Sequence, residues 1–144
     1  MKSYDPPMHT AEHILNQTMV RMFDCERSFS SHIEKKKSKC DYRFNRPLDG
    51  DEEVELVQNV NEVIRRNLEV KEHFLTLAEA ADKFNLTRLP EESGDQIRIV
   101  TIGDYDACPC IGPHVANSAE IGIFQLISSS HENGILRIRF KLSN

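Results

Sequence analysis

Asn133-Gly134-Ile135-Leu136-Arg137-Ile138-Arg139-Phe140-Lys141-Leu142 sets the architecture. Leu136, Ile138, Phe140 and Leu142 alternate with Arg137, Arg139 and Lys141, so an extended chain buries one row and wets the other. Asn-Gly offers the two positive-φ positions of a tight hairpin turn. The apolar stretch Ile121 to Ser130 therefore predicts the partner strand, and a hairpin of 121–130 with 135–142. A sheet with one buried face needs a covering layer, and the remaining sequence supplies it.

Two amphipathic stretches fit that layer. Pro6 to Phe23 reads as a helix with Asp5 as N-cap and Pro6 at its first position. Met8, Ala11, Leu15, Met19 and Met22 repeat at helical spacing as its core stripe. Beyond the breakers Pro47, Asp49 and Gly50, a long helix runs to about Leu68, with Leu56, Val60, Val63, Ile64 and Asn67 as its buried stripe. Strands are expected at Ser28 to Ile33 and Lys39 to Phe44, joined by a lysine turn, and at Val70 to Leu77 and Ile97 to Ile102. Thr76 and Glu79 form a capping box for a short helix ending near Phe84. A polar loop with Pro90 and Gly94 follows it, and Asp106 to His114 reads as a second loop. Helices and strands without regular alternation predict an α+β fold, a two-layer domain of mainly antiparallel sheet, with all 144 residues in one domain.

Composition narrows the class. With 39% hydrophobic and 28% charged residues the chain can build a core, and no run approaches a membrane span. Met1 to Pro7 lacks the apolar centre of a secretory signal, and nothing indicates an oxidising compartment, so Cys25, Cys40, Cys108 and Cys110 read as reduced in a cytoplasmic protein. Net charge is −5, unevenly placed: residues 1–47 carry +3, 48–120 carry −10 and the last segment is basic again. Lys35, Lys36, Lys37 and Lys39 with the terminal basic strand could form a positive patch for an RNA backbone, or a solvated turn and strand face.

The chemistry sits in two short pairs. His9-Thr10-Ala11-Glu12-His13 and Cys110-Ile111-Gly112-Pro113-His114 each place two metal-ligating side chains at i and i+4. Three His and one Cys complete a tetrahedral set suited to zinc, and their origin in distant segments suits an active site better than a closed structural knot. Zinc with an open position lowers the pKa of a bound water toward about 7, so hydrolysis is the expected chemistry. His9 to His13 also reads as HxxEH, an inverted-zincin peptidase motif with Glu12 as base. Such peptidases are far larger, that reading leaves Cys110 and His114 unused, and Glu12 at about 100° from His13 is expected to face solvent.

His9-Thr-Ala-Glu-His13-Ile-Leu resembles the HTAxHLL start of the editing domain of alanyl-tRNA synthetase. Cys110-Ile-Gly-Pro-His114-Val, with Ala119-Glu120-Ile121-Gly122, resembles that domain's CGGTHV and TGEIG segments. Val60-Asn61-Glu62-Val63-Ile64 with Asn67 and Val70 is similar to its VN-x-x-I-x-x-N helix and the strand after it. Threonyl-tRNA synthetase carries a related domain. At this length the chain resembles a short, free-standing AlaX-type editing protein without an attached tRNA-recognition domain.

The resemblance implies that His9, His13, Cys110 and His114 bind one zinc ion. It also implies hydrolysis of the ester joining a wrong amino acid to the tRNA 3′ end, in the first place serine on alanine tRNA. A pocket built for alanine excludes one added hydroxyl poorly, so a hydrolytic sieve is needed. A first-strand Thr of the family has its counterpart here in Ser28 or Ser30, both expected on one face, or these serines merely meet solvent. Pro113 stands where the family has Thr, and Ile111 where it has Gly. Phe23 to His32 lacks the family's Gly-rich segment. These departures bear on the loop and on discrimination, so the alternative is a catalytically weak zinc module that binds the tRNA acceptor end.

Overall fold

The computed structural model describes residues 5–84 and 96–143. The expected polar loop with Pro90 and Gly94 lies outside them. α1 is Pro6–Phe23. Asp5 accepts from the Met8 N–H, the two prolines occupy positions where no N–H is needed, and Asp24 closes the helix in the left-handed conformation with its N–H on Val20 O. β1 is Ser30–His32 and β2 Ser38–Arg43. α2, Gly50–Arg65, begins with a reciprocal Asp49–Glu52 capping box. β3 is Val70–Thr76, α3 Leu77–Lys83 with the expected Thr76–Glu79 box, and β4 Gln96–Ile102. β5, Asp106–Pro109, a short 3-10 turn at Ser118–Ile121, β6, Ile123–Glu132, and β7, Ile135–Ser143, complete the order.

The fold is α+β, as the sequence implies, but its strands divide into two antiparallel sheets. One runs β1-β2-β7-β6 and the other β3-β4-β5. α1 and α2 cover the inner face of the four-stranded sheet. Tyr42, Phe124, Leu136, Ile138 and Phe140 meet Met8, Leu15, Met19, Leu56 and Val60 there, all fully buried. Each such side chain contributes roughly 1.5–3 kcal/mol on leaving water. Around Asn133-Gly134, both at positive φ, the hairpin closes as expected. A bulge between Leu126 and Ser128 then shifts the register, so that Ser129 turns inward to Glu53 of α2 while Ser128 faces out beside Arg139.

Four expectations are corrected. Asp106 to Pro109 is not loop: it pairs with β4 from Ile99 to Ile102. Asn67 is not in the buried stripe of α2. It lies beyond the helix end, exposed and at φ +56°, where a short polar side chain tolerates the left-handed region. Asn61 is buried instead, donating to Phe124 O and accepting from Phe124 N. Glu12 does not face solvent: it is 6% exposed. α1 is enclosed on nearly all sides from Met8 to Asn16, between the sheet and the 105–115 segment, so no wet face exists there. Finally, Ser28 and Ser30 do not share a face. Ser30 pairs with Asp41 on the outer face, whereas Ser28 precedes the strand, is buried, and joins Ser31 by a 2.8 Å hydroxyl contact.

Candidate metal centre

α1 is stitched to the turn before β5 by a run of its own polar side chains. Gln17 donates to Asp106 Oδ1, the Thr18 hydroxyl meets Tyr105 OH at 2.7 Å, and Arg21 donates to Tyr105 O. These contacts hold β5 and the 110–114 segment alongside the first turns of α1. His9, His13, Cys110 and His114 meet there, with one ligand atom of each lying within 4.8 Å of all the others. His9, His13 and Cys110 are buried, and His114 is partly exposed. The rings of His9 and His114 stack at 4.1 Å, and His13 stands edge-on to both.

Two of the three imidazoles have their second nitrogen hydrogen-bonded, and the third faces a carboxylate. Pro113 O can only accept, so His9 Nδ1 carries the proton of their 3.0 Å bond, and Nε2 is left with its lone pair 3.2 Å from Cys110 Sγ. Thr10 donates its hydroxyl proton to Pro6 O, so it accepts from His114 Nδ1 at 2.9 Å and from Val115 N. His114 Nε2 then faces Cys110 Sγ at 3.5 Å. His13 Nδ1 lies 3.6 Å from Asp106 Oδ2, just outside hydrogen-bond range, and is the one buried side-chain nitrogen or oxygen among the described residues without a hydrogen-bond partner. Ligand bonds of about 2.0–2.3 Å give a tetrahedral site donor separations of roughly 3.3–3.8 Å. The two separations from Cys110 Sγ, 3.2 and 3.5 Å, lie near that edge. Three imidazole nitrogens and one thiol, each ring oriented by a second partner, could hold a metal ion.

The electrostatics suit deprotonated ligands. Burial opposes ionisation of Cys110, but the surrounding rings of His114, His13 and His9 draw its thiol down to about 3. Burial drives His114 down to about 4. Burial also opposes charging His13, yet Asp106 and Cys110 raise it to about 10, so the metal-free cluster keeps one proton on that ring. Burial disfavours the Asp106 carboxylate too, but His13 and Arg27 hold it down at about 2, with Arg27 Nη1 at 2.7 Å.

Several functional contacts gave no sequence signal. Asp106 and Arg27 look like ordinary polar residues, and only their meeting beneath His13 gives them a role. Arg98 of β4 donates to the carbonyls of both Cys110 and Gly112, fixing the ligand loop from below. Thr10 was visible only as part of the quoted motif. Pro113 keeps the carbonyl that orients His9, so that interaction survives whatever side chain stands there. Ile111 is 49% exposed beside the cluster. Glu12 Oε1 lies 3.9 Å from His9 Nε2 yet is outside the four-donor group. Ser28 N is held by Asn16 Oδ1, one helical turn beyond His13, while Ser30 is on the far face of the sheet. Lys35, Lys36 and Lys37 are exposed in the β1–β2 turn and Lys39 is partly buried on β2. A groove of about 1060 Å³ lined by Phe23, Phe44, Arg46 and Glu52, among others, shares no residue with the cluster, and its Arg46 is already paired with Glu52. No helix among the described residues is long and apolar enough to cross a membrane.

Comparison with known proteins agrees with the resemblance. Residues 97–139, from β4 through most of β7, match the threonyl and alanyl tRNA synthetase second additional domain. That match includes Cys110 and His114 and does not extend to His9 and His13. An alanine–tRNA ligase of Fervidobacterium nodosum is 31% identical over 132 residues, 90% of this chain and 15% of that protein. The corresponding ligase of Caldicellulosiruptor saccharolyticus is 34% identical over 133 residues, again 90% and 15%. That of Aeropyrum pernix is 32% identical over 139 residues, 92% of the chain and 15% of the ligase. The chain thus spans about 15% of the length of these relatives. It is similar over nine-tenths of its length to one segment of alanine–tRNA ligases, and residues 97–139 within it match the threonyl and alanyl tRNA synthetase second additional domain.

Proposed function

We propose that this protein is a cytoplasmic, zinc-dependent hydrolase that removes a wrong amino acid from tRNA in trans, with serine on alanine tRNA as its first substrate. The observation that carries this reading is the convergence of His9, His13, Cys110 and His114, each imidazole backed by its own second-layer partner. Their donor types suit zinc, which when bound would supply Lewis-acid polarisation at the ester. The chain's residues do the rest. Asp106 and Thr10 orient ligand rings, and Arg98 fixes the loop. The partly exposed side at His114, Pro113 and Ile111 is where an aminoacyl end can approach. Ser28, beside Asn16 and Ser31, is the better candidate to meet a serine hydroxyl, because Ser30 points from the opposite face.

Serine-charged and alanine-charged alanine tRNA, incubated with the zinc-loaded protein, test the assignment. Selective release of serine is expected. Equal deacylation of both, or of neither, would remove it. A second reading, a zinc-containing module that binds the acceptor end without hydrolysis, is favoured by the complete set of four protein donors. Tight binding of both charged tRNAs with no release of either amino acid would select it.

A further inference from the structure

The outer face of the four-stranded sheet carries a charge pattern the metal centre does not use. β2 and β7 pair so that Lys39 stands directly opposite Arg139, and Asp41 opposite Arg137. Lys141 and Arg43 extend the same two rows. These strands thus present five cations on that face and a single carboxylate, Asp41, which Arg137 already holds in a bidentate pair at 2.7 and 2.9 Å. Among the described residues no carboxylate pairs with Lys39, Arg139 or Lys141. Like charges placed directly across a ladder cost stability, and Asp41, already paired with Arg137, offsets this pair only in part. Asp51, Glu52 and Glu53 crowd the first turn of α2 on the other layer, while Glu132 at the end of β6 and Glu34 in the β1–β2 turn stand at the margins of this face. A chain of net charge −5 therefore keeps one flat face positive.

We propose that this face, centred on Lys39, Arg139 and Lys141, is a docking surface for an RNA sugar-phosphate backbone. It rests on the tRNA reading above and names where the body of that RNA lies. Phosphates are met by Lys and Arg together with Ser hydroxyls, and Ser30, Ser128 and Ser130 flank the cations on the same face. The exposed Lys35, Lys36 and Lys37 sit in the β1–β2 turn beside it and extend the field. Tertiary pairing makes the site, because Lys39 and Arg139 lie one hundred residues apart in sequence.

The test uses uncharged alanine tRNA, so deacylation has no part in its readout. Binding is titrated at several salt concentrations for the wild type, for Lys39→Gln/Arg139→Gln/Lys141→Gln, and for Arg65→Gln/Lys71→Gln/Lys83→Gln. The last removes equal charge away from this face. The face variant should bind about tenfold or more weakly at 0.1 M salt and lose roughly 0.7–0.9 from the log–log salt slope per phosphate contact removed, whereas the control should stay near wild type. Its thermal midpoint should hold or rise, since a like-charge pair is gone. Should the triple variant unfold, Lys141→Gln alone must lose about one contact's worth of slope. Unchanged affinity and slope, equal losses in both triple variants, or transfer of the effect to phosphatidylserine vesicles or polyglutamate would overturn the proposal. A wild type that hydrolyses charged tRNA while the face variant binds normally would sink the docking face and leave the hydrolase standing.

Discussion

Asp106 is the residue on which the cluster turns. It receives Arg27 and Gln17 on one oxygen and faces His13 with the other. Asp106→Asn should loosen metal binding about 10–100-fold by releasing the His13 ring, read by chelator competition. It should also lower stability in urea unfolding, because the partly buried Arg27 loses its counter-charge. The carboxyl is held at about 2, below its usual 3.8, so its stabilisation is complete above roughly pH 4 and drains away as pH falls toward 2. Metal-free protein should accordingly lose about 2 kcal/mol from this group across that window, and Asp106→Asn should remove that share of the dependence. A second consequence follows from His13, which holds its proton up to about 10 while Cys110 is already a thiolate and His114 already neutral at pH 7. Zinc binding near neutrality should expel about one proton, measurable by calorimetry in buffers of different ionisation enthalpy. Uptake of zinc without proton release would contradict this charge distribution.

Among the elements, β6 depends on α2 more than its pairing with β7 suggests. Phe124 turns its N–H and C=O away from β7, and the Asn61 side chain satisfies both, at 2.8 and 3.0 Å. Asn61→Ala should cost about 2–4 kcal/mol in equilibrium unfolding, since two buried backbone groups lose their partner at once. Asn61→Leu should be no better, because bulk is not what is missing. Gly103 plays a comparable part at the β4–β5 turn. It sits at φ +52° with its missing Cβ site 2.9 Å from Leu68 Cδ2, so alanine there would be both strained and crowded. Gly103→Ala should lower the thermal midpoint, and a neutral result would show that the turn can reshape.

For the whole molecule a bound metal would act as a tie between layers rather than as the core. The residues buried between the four-stranded sheet and the two long helices include none of the four ligands. His9→Ala and Cys110→Ala should therefore stay folded, bind zinc poorly and fail to deacylate. Metal content, thermal unfolding and deacylation on the same two variants decide this. Unfolding on metal loss would make the ion a structural staple instead.

Local pattern determined most of the elements, β5 excepted. The Asp5-Pro6-Pro7 start of α1, the Asp49 and Thr76 caps and the Asn133-Gly134 turn act over a few residues, so neighbours in sequence suffice to place them. The two ligand pairs were legible for the same reason, as i and i+4 spacings. Tertiary structure decided the rest. Burial of Glu12 and orientation of His13 by Asp106 require α1 to be enclosed by a segment ninety residues away. The division of strands into two sheets, the inward turn of Ser28 and the meeting of Lys39 with Arg139 depend on ladder register. Which strand lies beside which, and at what offset, is a choice among long-range pairings that the alternation of a single strand narrows but does not decide.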